Sequence, residues 1–246
     1  MIHSPNRLLA RLPPVIGQVL KPHVRLHELR RGDLLAEPGK PVNAAYFPHS
    51  GIVSMVIELS NGAVVETAMV GRDGVVNAAA AMTGSPSINK AVVQLEGHAS
   101  MIQATMLTTF ADEFRELRSL LICHEHVLFA QAQQSAACNA SHRLEARLCR
   151  WLLRTRDLAA SDELRITHEF LAQMLGVSRP TLSHAAGALH AAGLIEIRRG
   201  LTRVLDAEGL KAAACECYES VRAYHERMLA PDAARSPDAS AGQPGG

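Results

Sequence analysis

Residues 166–199 read ITHEFLAQMLGVSRPTLSHAAGALHAAGLIEIRR, which parses as a short helix, a tight turn, a second helix and the first arm of a hairpin. Thr167 is placed to cap the first helix, with Glu169 in the first turn complementing the helix dipole. Leu171, Ala172 and Leu175 share one face at helical spacing, and Ala172 is small where a second helix must come close. Gly176 stands where the turn needs a left-handed backbone. Val177 can plug the angle between the helices, and Ser178 can cap the second. Leu182, Ala185 and Leu189 form the inner face of that helix, and Gly193 ends it. This is the pattern of a helix-turn-helix. Its outer face keeps Arg179, Pro180, Thr181, Ser183 and His184 near the N-terminal end, the end that normally enters a DNA major groove.

The surrounding chain supports a nucleic-acid surface by distribution of charge rather than by total. The formal net charge is only +1, but residues 143–203 carry ten arginines against six acidic residues. That local excess suits phosphates. Apolar residues make up 48 % of the 246 and aromatic residues only 4 %, so the cores must rest on Leu, Val, Ile and Ala. No apolar run approaches a membrane span, and the N-terminus lacks the apolar core of a signal peptide. Five cysteines do not make a disulfide framework in a chain of this size, which points to the cytoplasm.

After a short, Pro-interrupted helix between Asn6 and about Leu20, the texture becomes strand-like from Val24. Turn signals recur at Arg31-Gly32-Asp33, Glu37-Pro38-Gly39, Pro48 to Gly51, Asn61-Gly62 and Arg72-Asp73-Gly74. Asn61-Gly62 between two alternating runs is the best hairpin signal. Further strands are expected at Ala91–Glu96 and His98–Ala104. Short strands with regular turns predict a small barrel or jelly roll. A long helix is expected from Phe110 to about Ala140, with Leu117, Leu120, Leu121, Val127 and Leu128 on a broad apolar face suited to a second copy. A hinge is expected around Cys138 to Ser141. LIEIRRGLTRVLD reads as a wing turning at Arg199-Gly200, with Arg198, Arg199 and Arg203 at hand for phosphates. A last helix is expected from Asp206, its seam of Leu210, Ala214, Cys217, Val221, Tyr224 and Met228 docking first of all on the winged-helix core, with the sensor and long helix of the dimer as the alternative surface. The end, from Pro231, is small, polar and rich in Pro and Gly, and is expected to be disordered.

Other constellations carry less. His124-Glu125-His126 beside Cys123 diverge on a helix, and so would Cys215 and Cys217 at i and i+2. A metal or redox role for the last pair is therefore the minority reading. No nucleophile–base pair or phosphate-binding glycine loop emerges, so neither an enzyme nor a cofactor or metal is expected.

A β-rich sensor, a long helix and a winged helix together resemble the Crp/Fnr family of bacterial transcription regulators. The resemblance rests on Arg31-Gly32-Asp33, Glu37-Pro38-Gly39, Tyr46-Phe47-Pro48, Ser50 to Val53, Val70 to Gly74, and Gly176 to Arg179. It implies an α+β, two-domain chain: a sensor of the cyclic-nucleotide-binding type at 1–109, a connecting dimerisation helix at 110–140, a winged helix-turn-helix at 141–230 and a tail at 231–246. It further implies a homodimer joined along the long helix on a palindromic double-stranded site, with RNA polymerase and a small-molecule effector as further partners. Thr167, Ser178, Arg198, Arg199 and Arg203 would touch phosphates; Arg179, Ser183 and His184 would reach bases. An effector pocket would draw on Val70, Gly71, Arg72, Asp73, Ser85 and Lys90. The sequence departs from members that bind cyclic nucleotides, in which a Gly-Glu pair and a downstream Arg hold ribose and phosphate. Here Gly71 precedes Arg72-Asp73, and Gly84 to Lys90 offers no Arg, so cyclic AMP is not expected to bind. The alternative is a true small-molecule sensor whose ligand controls DNA binding.

Overall fold

The computed structural model describes residues 5–229; the expected tail at 231–246 lies outside them. The chain enters through a single 3₁₀ turn and helix α1 (Pro14–Leu20). Strands β1 (Val24–Leu29), β2 (Leu34–Ala36), β3 (Ala44–Pro48), β4 (Ile52–Glu58) and β5 (Val64–Val70) follow. Helix α2 (Ala78–Thr83) leads into β6 (Lys90–Leu95) and β7 (Gly97–Gln103). All strand pairs are antiparallel, in two sheets ordered β1-β7-β3 and β2-β6-β4-β5. Leu29 and Ala99 from the first sheet meet Val53, Met55, Val70 and Val93 from the second in one core. This is the expected jelly-roll-like sensor.

Alternation along β4 explains why it is buried from Ile52 to Val56. Val53 and Met55 face the sensor core, whereas Ile52 and Val56 face outward into a second apolar cluster. On β5 a bulge at Thr67 resets the register: Met55 pairs with Ala68, but Val56 pairs with Glu66. Glu66 and Met69 can therefore both face outward, on either side of the bulge.

That outer face is covered by the second half of the chain. Helices α3 (Ala104–Glu113) and α4 (Arg115–Ser141) follow the sensor, broken at Phe114, so the expected continuous helix from Phe110 is two. Next come α5 (Leu144–Ala159), β8 (Glu163–Leu164), α6 (His168–Leu175), α7 (Arg179–Ala191), β9 (Ile195–Arg198) and β10 (Leu201–Val204). Leu148, Trp151 and Leu152 of α5 share one cluster with Ile52, Val56 and Met69 of the sensor and with Leu171, Leu182 and Leu189 of the helix-turn-helix. The two halves are therefore welded through a common apolar layer.

Two expectations about the helices need correction. Leu117, Leu121 and Val127 are 0 %, 0 % and 1 % exposed, packed within their own chain rather than left for a partner. The stripe that α4 leaves open contains Ile122, His126, Phe129, Gln133, Ala136 and Ala140, alternating steps of four and three. The expected last helix is two, α8 (Ala207–Ala213) and α9 (Cys217–Met228), separated by a turn at Ala214 to Glu216. Helix α8 packs on α5, as a winged-helix element should, but α9 crosses to α4 and delivers Leu229 into the sensor-side core. The favoured docking of the whole seam on the winged-helix core is thus only half right, because one straight helix cannot reach both surfaces.

Candidate nucleic-acid interface

The helix-turn-helix is locked by its own caps. Thr167 Oγ1 accepts the Phe170 N–H at 3.2 Å, and Ser178 Oγ accepts the Thr181 N–H at 3.3 Å. Gly176 takes φ +65°, ending α6 in the left-handed region, and an added Cβ would come within 3.1 Å of Val65 on β5. Leu171, Ala172, Leu175, Leu182, Ala185 and Leu189 are all buried. Arg179, Pro180, Thr181, Ser183 and His184 are all exposed on α7. Ser183 Oγ lies 3.2 Å from His168 Nδ1, tying α7 to α6 beneath that surface. A capping hydroxyl that accepts from the backbone keeps its own proton to donate, so Thr167 remains competent toward phosphate.

The wing is the β9–β10 hairpin, with Arg198 opposite Leu201 and Gly200 at φ +73°. Arg198, Arg199 and Arg203 are exposed. Several of these cations already have partners: Arg198 meets Glu196 at 2.8 Å, Arg203 meets Glu163 at 3.9 Å, and Arg179 meets Glu169 at 3.9 Å. Such solvated pairs are weak and can exchange for phosphate at little cost. Arg165, exposed two residues before Thr167, adds a cation that the sequence analysis did not name.

The six residues expected to form an effector pocket do not gather. Val70 is 1 % exposed in the sensor core, and a Cβ on Gly71 would meet Leu158 of α5 at 2.9 Å. Asp73 is bound by Arg154 at 3.0 Å and His225 of α9 at 3.2 Å. Burial alone would raise its pKa, but the Arg154 guanidinium, joined by His225 once that buried imidazole is protonated, outweighs it and draws the carboxyl down to about 2. Ser85 is exposed after α2, and Lys90 pairs with Glu58 at 3.3 Å. Of the six, only Arg72 and Asp73 share a cavity, of about 420 Å³, and its other walls include Arg7, Arg11, Arg154 and Arg222 together with Asp157 and Glu226. The β5 exit makes contact with α5 and α9, and the sheet register places Lys90 opposite Val56 but Val70 opposite Val53, toward the other end of β4.

The possible metal ligands divide into two cases. His124 is buried, accepts the Val75 N–H through Nε2 at 3.3 Å, and is driven to a pKa of about 3 by desolvation. Its neighbour Glu125 accepts the Ala79 N–H instead, so the two diverge as a helix requires. Cys215 and Cys217 do not diverge. Cys215 lies in the turn before α9, and its thiol converges with those of Cys217 and Cys138 and with the His142 ring, all four donor atoms lying within 4.8 Å of one another. A Cys-x₃-His pair at the end of α4 was the signal for this, and its meaning depended on a break that no Pro or Gly announces.

Comparison with known proteins agrees with this architecture. A cyclic nucleotide-binding domain model matches residues 26–114, and a Crp-like helix-turn-helix domain model matches residues 146–213. The transcriptional regulatory protein btr of Bordetella pertussis is 26 % identical over 212 residues, 80 % of this chain and 82 % of that protein. FixK2 from Bradyrhizobium japonicum superposes with a TM-score of 0.67 at 16 % identity, over 78 % of this chain and 98 % of that one. The c-di-GMP responsive global regulator CLP of Xanthomonas campestris gives a TM-score of 0.65 at 16 % identity, over 78 % and 99 %. With a sensor of the cyclic-nucleotide-binding type followed by a Crp-like helix-turn-helix, and the two matches together spanning more than half of its length, the chain belongs to the Crp/Fnr family of transcriptional regulators.

Proposed function

We propose that this regulator acts as a homodimer on a palindromic double-stranded site, with one α7 in each of two successive major grooves. The observation that carries the reading is the cluster of Arg179, Thr181, Ser183 and His184 left exposed on a helix whose other face is fully packed. Arg179 reads a base, most naturally guanine through O6 and N7, while Thr167, Ser178, Arg198, Arg199 and Arg203 set register on phosphates. The second copy docks along the open α4 stripe centred on Ile122 and Phe129, 45 % and 63 % exposed. Among the described residues no helix is long and apolar enough to cross a membrane. A cytoplasmic regulator acting on RNA polymerase fits that finding. Genome-wide mapping of bound sites, followed by gel-shift measurement on the recovered sequence and on one with a deleted half-site, tests the proposal. Equal affinity for the two DNAs would overturn it.

The sensor is not read as a cyclic AMP receptor. Ser85 and Lys90 stand apart from the β5 exit, and the stretch from Gly84 to Lys90 holds no arginine, so no guanidinium is available there to grip a cyclic phosphate. The cavity between Arg72 and Arg222, where sensor, α5 and α9 meet, carries five arginines against Asp73, Asp157 and Glu226, a net excess of positive charge that favours an anionic effector. Calorimetry with cyclic AMP at millimolar concentration should show no heat and no rise in melting temperature. A clear upward shift would restore the cyclic-nucleotide reading.

A further inference from the structure

Three cysteines and a histidine from two separate stretches of chain, 138–142 and 215–217, meet at the junction of α4, α5 and α9. Cys138 lies in the last turn of α4, and His142 follows at the break before α5. Cys215 and Cys217 flank the tight turn that opens α9. Cys138 Sγ and Cys215 Sγ are 3.5 Å apart, and Cys217 Sγ lies 3.5 Å from His142 Nδ1. A tetrahedral zinc ion with bonds of about 2.3 Å to sulfur and about 2.0 Å to nitrogen sets its ligands roughly 3.5 to 3.8 Å apart along each edge. The group already has close to those dimensions. With all four atoms inside 4.8 Å there is room for one ion and not for a cluster of several irons.

The surroundings suit that ion as well as the ligands do. The second ring nitrogen of His142, Nε2, lies 3.2 Å from the Glu216 carboxylate. That contact fixes the proton on Nε2 and leaves Nδ1 free to donate its lone pair, the carboxylate–histidine arrangement found behind many zinc ligands. Gln134 Nε2 donates to Cys217 Sγ at 3.0 Å and so holds that sulfur in place. Arg147 and Arg150 stand close enough to interact with the charge on Cys138. Three thiolates, a neutral imidazole and Zn²⁺ sum to one negative charge, so a neighbouring arginine balances the complex. The bland alternative is three thiols packed as small apolar groups with Ala146. It accounts for their burial but not for an imidazole held by Glu216 with its other nitrogen turned to a thiol.

We propose that Cys138, His142, Cys215 and Cys217 bind one Zn²⁺ in a tetrahedral Cys₃His site that pins the start of α9 to the break between α4 and α5. Binding converts three thiols to thiolates and releases three protons to solvent. Because α4 belongs to the sensor side and α5 to the DNA-binding side, the ion fastens the joint across which the two halves are connected.

The test uses the full-length protein and a metal probe, independent of DNA binding. Metal-depleted, reduced protein titrated with Co²⁺ should develop a sulfur-to-cobalt charge-transfer band and the intense visible bands of tetrahedral cobalt. The titration should end at one equivalent, and one equivalent of Zn²⁺ should bleach it. Cys217→Ser should weaken and shift the bands, and Cys123→Ser, outside the group, should not. Glu216→Gln, a substitution on the surface that leaves folding intact, should weaken zinc binding about 10- to 100-fold. A pale octahedral cobalt spectrum, bands that survive in the Cys215→Ser, Cys217→Ser double variant, bands that need Cys123, or iron as the metal held by the purified protein would each overturn the assignment.

Discussion

The Trp151 indole N–H on α5 donates to Glu66 Oε1 on β5 at 2.8 Å, joining the DNA-binding half to the sensor through a buried carboxyl. Desolvation pushes Glu66 up to about 7, against the opposing pull of Ser54, Trp151, Arg150 and Arg154. A carboxyl with a raised folded pKa contributes its stability below the unfolded value near 4.5, and that contribution is lost as pH rises through about 7. Glu66→Gln should therefore flatten the decline in stability between about pH 5 and pH 8 relative to the wild type. Urea unfolding of both proteins across that range measures the difference. Parallel curves would show that Glu66 is ionised throughout.

Base reading and phosphate gripping should separate by substitution. Arg179→Ala should cost about 1–3 kcal/mol on the specific site and much less on random DNA. Arg199→Ala on the wing should weaken both equally and lower the slope of log affinity against log salt by about 1. Gel shifts at several salt concentrations distinguish the two. The same uniform loss for Arg179→Ala would make it a phosphate contact.

The helix-turn-helix was legible because its signals are local. Thr167, Gly176 and Ser178 do in the structure what cap and turn chemistry dictates for each alone. The sensor strands were legible through alternation and Asn61-Gly62. What stayed hidden depends on choices between surfaces. Helix α4 carries two apolar stripes, and nothing in its periodicity says that the sensor takes Leu117, Leu121 and Val127 while Ile122 and Phe129 remain outside. The break at Ala214 to Glu216 contains no Pro or Gly; it exists because α8 is held by α5 and α9 by α4. The partners of Gly71 and Asp73 were hidden for a related reason: both meet α5 or α9, elements far away in the sequence.

The α4 stripes give opposite outcomes for similar substitutions. Phe129→Glu, on the open stripe, should leave each chain folded but shift sedimentation from dimer to monomer and weaken operator binding, since each half-site then loses the effective concentration that its partner supplies. Leu121→Glu, at a position 0 % exposed, should instead destabilise the chain itself by placing an unpaired charge in the core. A Phe129→Glu protein that sediments as an intact dimer would rule out this seam.

The contact of Asp73 with Arg154 and His225 is where α9 and the DNA-binding half close on the sensor. The Asp73 and Arg154 side chains are 13 % and 15 % exposed, so the pair is shielded from water in a way that surface pairs are not. Removing one partner of such a pair leaves the other charge buried without compensation. Asp73→Asn should therefore cost about 3 kcal/mol in stability. Asp112→Asn, which breaks an exposed pair with Arg118, should change little. The pH dependence has a definite sign. The folded pKa of Asp73 is drawn down to about 2 from 3.8, so its contribution is full above about pH 4 and disappears as pH falls through about 2. The Asn variant should lack that part of the acid-induced loss. Because the contact also joins α9 to the β5 exit, Asp73→Asn should alter operator affinity without touching the recognition helix. Thermal melts of both variants from pH 2 to pH 7, paired with gel shifts, measure both effects. Equal melting of Asp73→Asn and wild type at pH 7 would mean that the pair is structurally idle, and unchanged operator affinity would mean that it carries nothing between the two halves.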